Sequence, residues 1–161
     1  MKTTSLIAFA AFCLPAVAHA QAPQLEKNVS MAMAQAIVTG AVEECARTSF
    51  RVSVVVVDKA GQLSAVLRGD GTAPHTIEFA RMKAYTARTR NQTSLEFAAV
   101  TATGDAAALR QIPGVIAIGG GVPIKAGTET IGAVGVSGAP GGDKDEVCAK
   151  AGIARVAAAL N

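Results

Sequence analysis

The stretch RVSVVVVD, Arg51 to Asp58, decides how this chain is read. Its run of β-branched side chains fits a buried strand. Lys59-Ala60-Gly61 is a short turn, and Gln62 to Arg68 is the returning strand, so the pair is a hairpin. On its N-terminal side, Leu25 to Arg47 reads as a helix. Leu25, Val29, Met33, Ile37 and Ala41 recur at every fourth residue, with Ala32 and Ala36 alongside. On its C-terminal side, Gly69 to Pro74 (GDGTAP) is a loop by composition. A helix then starts near His75 or Thr76 and runs to about Arg90. Ile77, Ala80, Ala84 and Ala87 give it a narrow face of small side chains suited to close packing on a sheet. Arg81, Lys83, Arg88 and Arg90 lie opposite.

Thr93 or Ser94 can cap a short helix, and Gly104-Asp105 interrupts before a further helical turn at Ala106 to Arg110. Pro113-Gly114 breaks the chain. Val115 to Ile118, Val122 to Ala126 and Thr130 to Ser137 read as three more strands. Gly119-Gly120-Gly121 and Gly127-Thr128 join them. The triple glycine serves either a tight connection or close approach of backbone to a ligand. After the loop GAPGG, Asp143 opens a last helix to about Leu160, with an acidic first turn that suits the helix dipole. The order is helix, hairpin, helix, short helix, three-stranded meander, helix. It predicts a single α+β domain around an antiparallel sheet.

The composition agrees. The chain has 161 residues, 50% hydrophobic and 17% charged, which is one globular domain. A net charge of +3, no Trp and one Tyr exclude a dedicated nucleic-acid binder. Lys2, the apolar stretch Leu6 to Val17 and Ala18-His19-Ala20 form a signal peptide over residues 1–20, with cleavage expected after Ala20. Residues 21–161 are the domain. No later segment reaches the ~18 apolar residues of a membrane span. The expected location is the periplasm or the exterior. Cys13 lies within the signal, leaving Cys45 and Cys148. In an oxidising compartment that pair is first read as a disulfide; a reactive thiol or a metal ligand is the alternative. If the first and last helices pack antiparallel on one face of the sheet, the two thiols fall at the same end.

Several chemistries are absent. There is no HExxH, no P-loop lysine, no complete GxSxG and no GxGxxG. The two histidines are His19 in the signal and His75, so one mature chain cannot build a His-based metal cluster.

Several segments carry a resemblance together. They are Val52 to Asp58 with Gly61; Arg68 to Gly71 with Pro74-His75-Thr76; Lys83-Ala84-Tyr85-Thr86-Ala87; Pro113-Gly114; Gly119 to Pro123; Ile131 to Gly138; and Asp143 to Glu146 leading to Cys148-Ala149. In this order and spacing they resemble the GlcG/HbpS-like heme-binding family, which also takes in the C-terminal domain of PduO proteins. The resemblance implies a profilin-like, five-stranded antiparallel sheet with helices on both faces, assembly into dimers or larger rings, and heme as a ligand in some members. Secreted members are linked to heme or iron sensing, others to glycolate or diol metabolism.

His75, alone in a Gly/Pro-rich loop at a helix start, is the candidate iron ligand, because neutral imidazole is a common axial ligand. The alternative is a loop His that caps the helix or hydrogen-bonds locally. Tyr85 and Met82, on the same helix, are further possible ligands or packing residues. Arg81, Lys83 and Arg88 suit heme propionates or a small carboxylate, or form a solvated face. Lys83 is the best placed of them, because the family-like segment Lys83-Ala84-Tyr85-Thr86-Ala87 implies a place beside the small packing face. Asp58 and Asp70 read as turn acceptors. Asp143, Asp145 and Glu146 read as a helix start or a weak metal site. The leading expectation is an exported, non-catalytic heme-binding protein, a homo-oligomer without membrane insertion, in heme or iron sensing or storage. One rival is an enzyme or accessory acting on a small carboxylate such as glycolate. It would use Lys83 or Arg81 as anchor and Asp70 or His75 for proton transfer. The other is a structural oligomer that meets a membrane sensor.

Overall fold

A computed structural model of the chain describes residues 22–160, so the expected signal peptide lies outside the described residues. Four antiparallel strands form one sheet in the order β2-β1-β4-β3. They are β1 (Ser53–Asp58), β2 (Leu63–Arg68), β3 (Gly121–Ala126) and β4 (Glu129–Ser137). The helices are α1 (Met31–Arg47), α2 (Thr76–Arg90), α3 (Ser94–Val100) and α4 (Gly142–Ala154). Two short 3₁₀ turns, Asp105–Gln111 and Ala157–Ala159, complete the regular structure.

The valines of β1 are buried on both faces, which is why the run shows no alternation. Val54 and Val56 join Ile37, Ala41, Val134, Val136 and Ala149 in the larger core, under α1 and α4. Val55 and Val57 meet Ala80, Ala84, Ala87 and Ala133 on the other side, under α2. That side is tight. A Cβ on Gly135 would sit 2.0 Å from the Ala80 carbonyl oxygen, so β4 carries glycine where α2 crosses it. α1 and α4 pack antiparallel, and Cys45 and Cys148 form a disulfide across them with Cα atoms 5.5 Å apart.

The sheet has four strands, not the expected five. Val115 to Ile118 does not pair with a neighbouring strand. It lies along α2, where the Thr86 hydroxyl accepts from the Ile116 N–H (2.9 Å) and the Val115 N–H turns back to the Ile112 carbonyl (3.1 Å). A side-chain hydroxyl thus replaces a ladder partner. The first helix starts at Met31, not Leu25. Ser30 caps it, and Asn28 Oδ1 accepts from both Val29 and Lys59 N–H (2.9 Å each), holding the lead extended. Leu25 is 96% exposed, so its place in the apolar period was fortuitous. The last helix ends at Ala154 and is followed by the 3₁₀ turn rather than running on to Leu160. Among the described residues, no helix is long and apolar enough to cross a membrane.

Candidate functional site

A cleft of about 560 Å³ opens where the N-termini of α2 and α4 meet the ends of β1 and β4. One wall is a stripe of α2: His75, Phe79 and Lys83, at every fourth residue. The opposite lip holds Phe50 and Arg51, and Ser137-Gly138-Ala139 and Gly141-Gly142 close the end. Ile118 adds an apolar edge.

Local hydrogen bonds place His75. The Thr76 hydroxyl meets Ser53 Oγ at 2.7 Å in a buried contact and donates to the Ala73 carbonyl at 2.8 Å. This fixes the start of α2 to the start of β1. His75 occupies the N-cap position, but its side chain makes no capping bond. The imidazole is exposed and stands edge-on to Phe79, with centroids 5.0 Å apart. The local capping role open to a loop His is therefore not what it does.

Lys83 does not stand on a solvated basic face. It is buried at the floor of the cleft, where its Nζ donates to Asp145 Oδ2 (2.7 Å) and to the Val136 carbonyl (3.0 Å). Asp145 Oδ1 accepts from the Ala139 N–H at 3.0 Å. One ion pair thus joins α2, the end of β4 and the start of α4. Burial pushes the Asp145 carboxyl above its ordinary range, while Lys83 and the Ala139 N–H pull it back. The triple glycine serves this pair. A Cβ on Gly120 would meet Asp145 Cβ at 2.7 Å, and one on Gly121 would meet the Lys83 carbonyl at 2.1 Å. The close approach at these glycines is protein on protein.

The other expected site residues lie elsewhere. Arg81 is clasped by Glu78 through two hydrogen bonds of 2.9 and 2.7 Å. That pairing lowers the Glu78 carboxyl and raises the guanidinium. The ring of Tyr85 is held between Gly61 and Gly114, away from the cleft. Arg81, Tyr85, Met82 and Arg88 do not line the cleft. Asp58 accepts from the Gln62 N–H (2.8 Å), the turn role expected of it. Among the described residues, no three His, Cys, Asp or Glu side chains converge as a metal cage, and Asp145 turns to Lys83 instead. Sequence reading missed Phe50, Arg51 and Phe79. The four-residue spacing from His75 was the available signal for Phe79. Nothing local marked Arg51, which reaches the cleft because the start of β1 lies beside the Gly71 loop.

The chemistry of the cleft is mixed. Phe50, Phe79 and Ile118 offer apolar surface. Arg51, with two helix N-termini, favours an anion. His75 offers an unengaged imidazole.

A family described as "Haem degrading protein HbpS-like" matches residues 29–154. The chain belongs to the HbpS-like family. This HbpS-like chain is 34% identical over 109 residues to Protein GlcG of Escherichia coli K12, spanning 68% of this chain and 81% of that protein. A crystal structure of a double mutant of Streptomyces reticuli HbpS is 36% identical, with a TM-score of 0.79, over 87% of this chain and 97% of that one. A PduOC:heme complex, 23% identical, shares the fold with a TM-score of 0.73 over 80% of this chain and 95% of that one.

Proposed function

We propose that this HbpS-like domain is an exported heme-binding protein that holds the tetrapyrrole in the α2–α4 cleft without turning it over, in heme or iron sensing or storage. The observation that carries this reading is His75, an exposed imidazole at the mouth of a cleft of about 560 Å³. Clefts of ~300–1,000 Å³ are the usual scale of small-molecule sites. The residues present fit the group: His75 would offer an imidazole nitrogen to the iron, Phe50, Phe79 and Ile118 would offer apolar surface to the macrocycle, and Arg51 would receive a carboxylate. When bound, heme supplies a redox-active iron and an absorption band that reports its ligand. The chain itself positions the imidazole through the Ser53–Thr76 bond and keeps the floor closed with Lys83 and Asp145.

The heme complex of the PduOC relative and the family's description support this ligand class. Export is supported by residues 1–20 and by a buried disulfide, which suits an oxidising compartment. The small-carboxylate reading loses its two anchors, because Asp145 already engages Lys83 and Glu78 already engages Arg81.

Hemin titration separates the readings. The expected result is a saturable, shifted Soret band at one equivalent, not displaced by excess glycolate and stable with a reductant in air. Displacement by glycolate would favour the carboxylate reading. Decay of the band under reductant would favour degradation over storage.

A further inference from the structure

The Cys45–Cys148 disulfide can be approached from one side. A second cavity, of about 240 Å³, is lined by Glu44, Thr48, Phe50, Lys144, Val147 and Cys148. It reaches Cys148 but not Cys45, which is fully buried. Phe50 is common to this cavity and the cleft. Lys144 Nζ stands 5.6 Å from the centre of the Phe50 ring. The acid of the wall, Glu44, is held by Arg47 at 2.7 Å. Thiol–disulfide exchange needs a reachable sulfur and an attacking thiolate. Here one sulfur is reachable, and an ammonium beside it attracts an anion.

Both ends of the bond lead into the cleft. The Cys45 carbonyl accepts from the Thr48 N–H (3.1 Å), the Thr48 hydroxyl (2.9 Å) and the Phe50 N–H (3.0 Å). Ser49, between them, has a φ of +61°, which a non-glycine residue keeps only where its surroundings hold it. The cleft lip of Ser49, Phe50 and Arg51 therefore hangs from Cys45. Cys148 lies on α4, the helix whose first residues close the end of the cleft and whose Asp145 braces the floor. The disulfide ties the lip to that helix.

We propose that Cys148 is a thiol-exchange site, at which a small anionic thiol of the glutathione class opens this brace and loosens the lip of the cleft. A thiolate entering the cavity attacks Cys148 Sγ. A new S–S bond joins it to Cys148, the old bond breaks, and its electron pair leaves on Cys45 Sγ, which takes a proton from water. A second thiolate then attacks the mixed disulfide. Cys148 leaves as thiolate, and the two small thiols depart oxidised as their own disulfide. The end of α1 is then no longer fixed to α4. The consequence for a ligand, weaker binding after reduction, rests on the tetrapyrrole reading of the cleft.

Three readouts test this. Ligand-free oxidised protein is treated with glutathione and quenched in acid at early times. Peptide mass spectrometry is expected to find the adduct on Cys148, and Lys144→Glu to form it at least threefold more slowly with an unchanged circular dichroism spectrum. An adduct on Cys45 alone, or an equal rate in Lys144→Glu, would overturn the site. Hydrogen exchange at residues 48–51 is expected to be at least tenfold faster in the reduced wild type and in Cys45→Ser/Cys148→Ser, with β4 still protected. Unchanged exchange there, or loss of protection throughout β4 in both proteins, would overturn the local brace. Hemin is expected to bind the double serine variant at least fivefold more weakly than the oxidised wild type, and equal affinity would overturn the coupling. If the oxidised wild type binds no hemin while residues 48–51 still open on reduction, the tetrapyrrole reading fails and the exchange site stands.

Discussion

Replacing Lys83 by Met keeps the aliphatic bulk and removes the cation from a buried pair. Asp145 then faces the Ala139 N–H alone, in a site where both partners were about 3% exposed. At neutral pH it must lose its charge to stay buried. Protonating a carboxyl of unfolded value ~3.9 at pH 7 costs at most ~4 kcal/mol, at ~1.36 kcal/mol per pH unit. Losing the ammonium bond to the Val136 carbonyl adds ~1 kcal/mol. The expected loss is ~3–5 kcal/mol, the scale seen when one member of a buried pair is removed. In a domain of this size it lowers Tm by on the order of 10 °C.

The sign of the pH dependence follows from the raised carboxyl. A group whose folded value lies above its unfolded one contributes most below the unfolded value, and that contribution is lost as pH rises through the folded value. In the wild type, Lys83 and the Ala139 N–H restrain the rise. In Lys83→Met they no longer act together, so stability falls by up to ~1.4 kcal/mol per unit between about pH 4 and 7. Urea unfolding at pH 4 and pH 7 measures this. The deficit of Lys83→Met is expected to shrink to ~1 kcal/mol at pH 4. The double variant Lys83→Met/Asp145→Asn keeps an acceptor for Ala139, and it should recover most of the loss at pH 7. A deficit equal at the two pH values, or a double variant no better than the single, would refute the assignment of the pair as the ionised clamp of the cleft floor.

Two further outcomes follow from packing. Reducing the Cys45–Cys148 bond, or Cys45→Ser/Cys148→Ser, opens a loop of 103 residues; the chain-entropy relation gives a loss of ~4–5 kcal/mol, read as a lower urea midpoint. Gly135→Ala forces α2 off the sheet at the Ala80 carbonyl, so reduced soluble yield and loss of hemin binding are expected together. A well-folded Gly135→Ala protein would mean that α2 is not seated as described.

Much of the fold was legible because it rests on local rules. The valine run, the Gly61 turn, the small face of α2 and the capping pattern at Thr93 each specify their element by sequence alone. The disulfide was legible from the expectation of export and the cysteine count. What escaped depends on single side chains acting at a distance. The Asn28 amide held the lead extended and delayed the helix to Met31, and the Thr86 hydroxyl took the place of a fifth strand. The same holds at the site. His75 was visible as the one histidine outside the expected signal segment. Lys83 looked like part of a charged face, and only the arrival of Asp145, 62 residues later, makes an inward lysine affordable. Arg51 carried no signal, because its role depends on where the Gly71 loop comes to rest.

The most direct measurement is the absorption spectrum of hemin on three proteins: wild type, His75→Ala and Tyr85→Phe. His75 lines the cleft and Tyr85 is held between Gly61 and Gly114, so a shifted Soret band is expected in His75→Ala and an unchanged one in Tyr85→Phe. A band untouched by His75→Ala, one abolished by Tyr85→Phe, or no saturable band in the wild type would refute heme binding through His75 in the cleft.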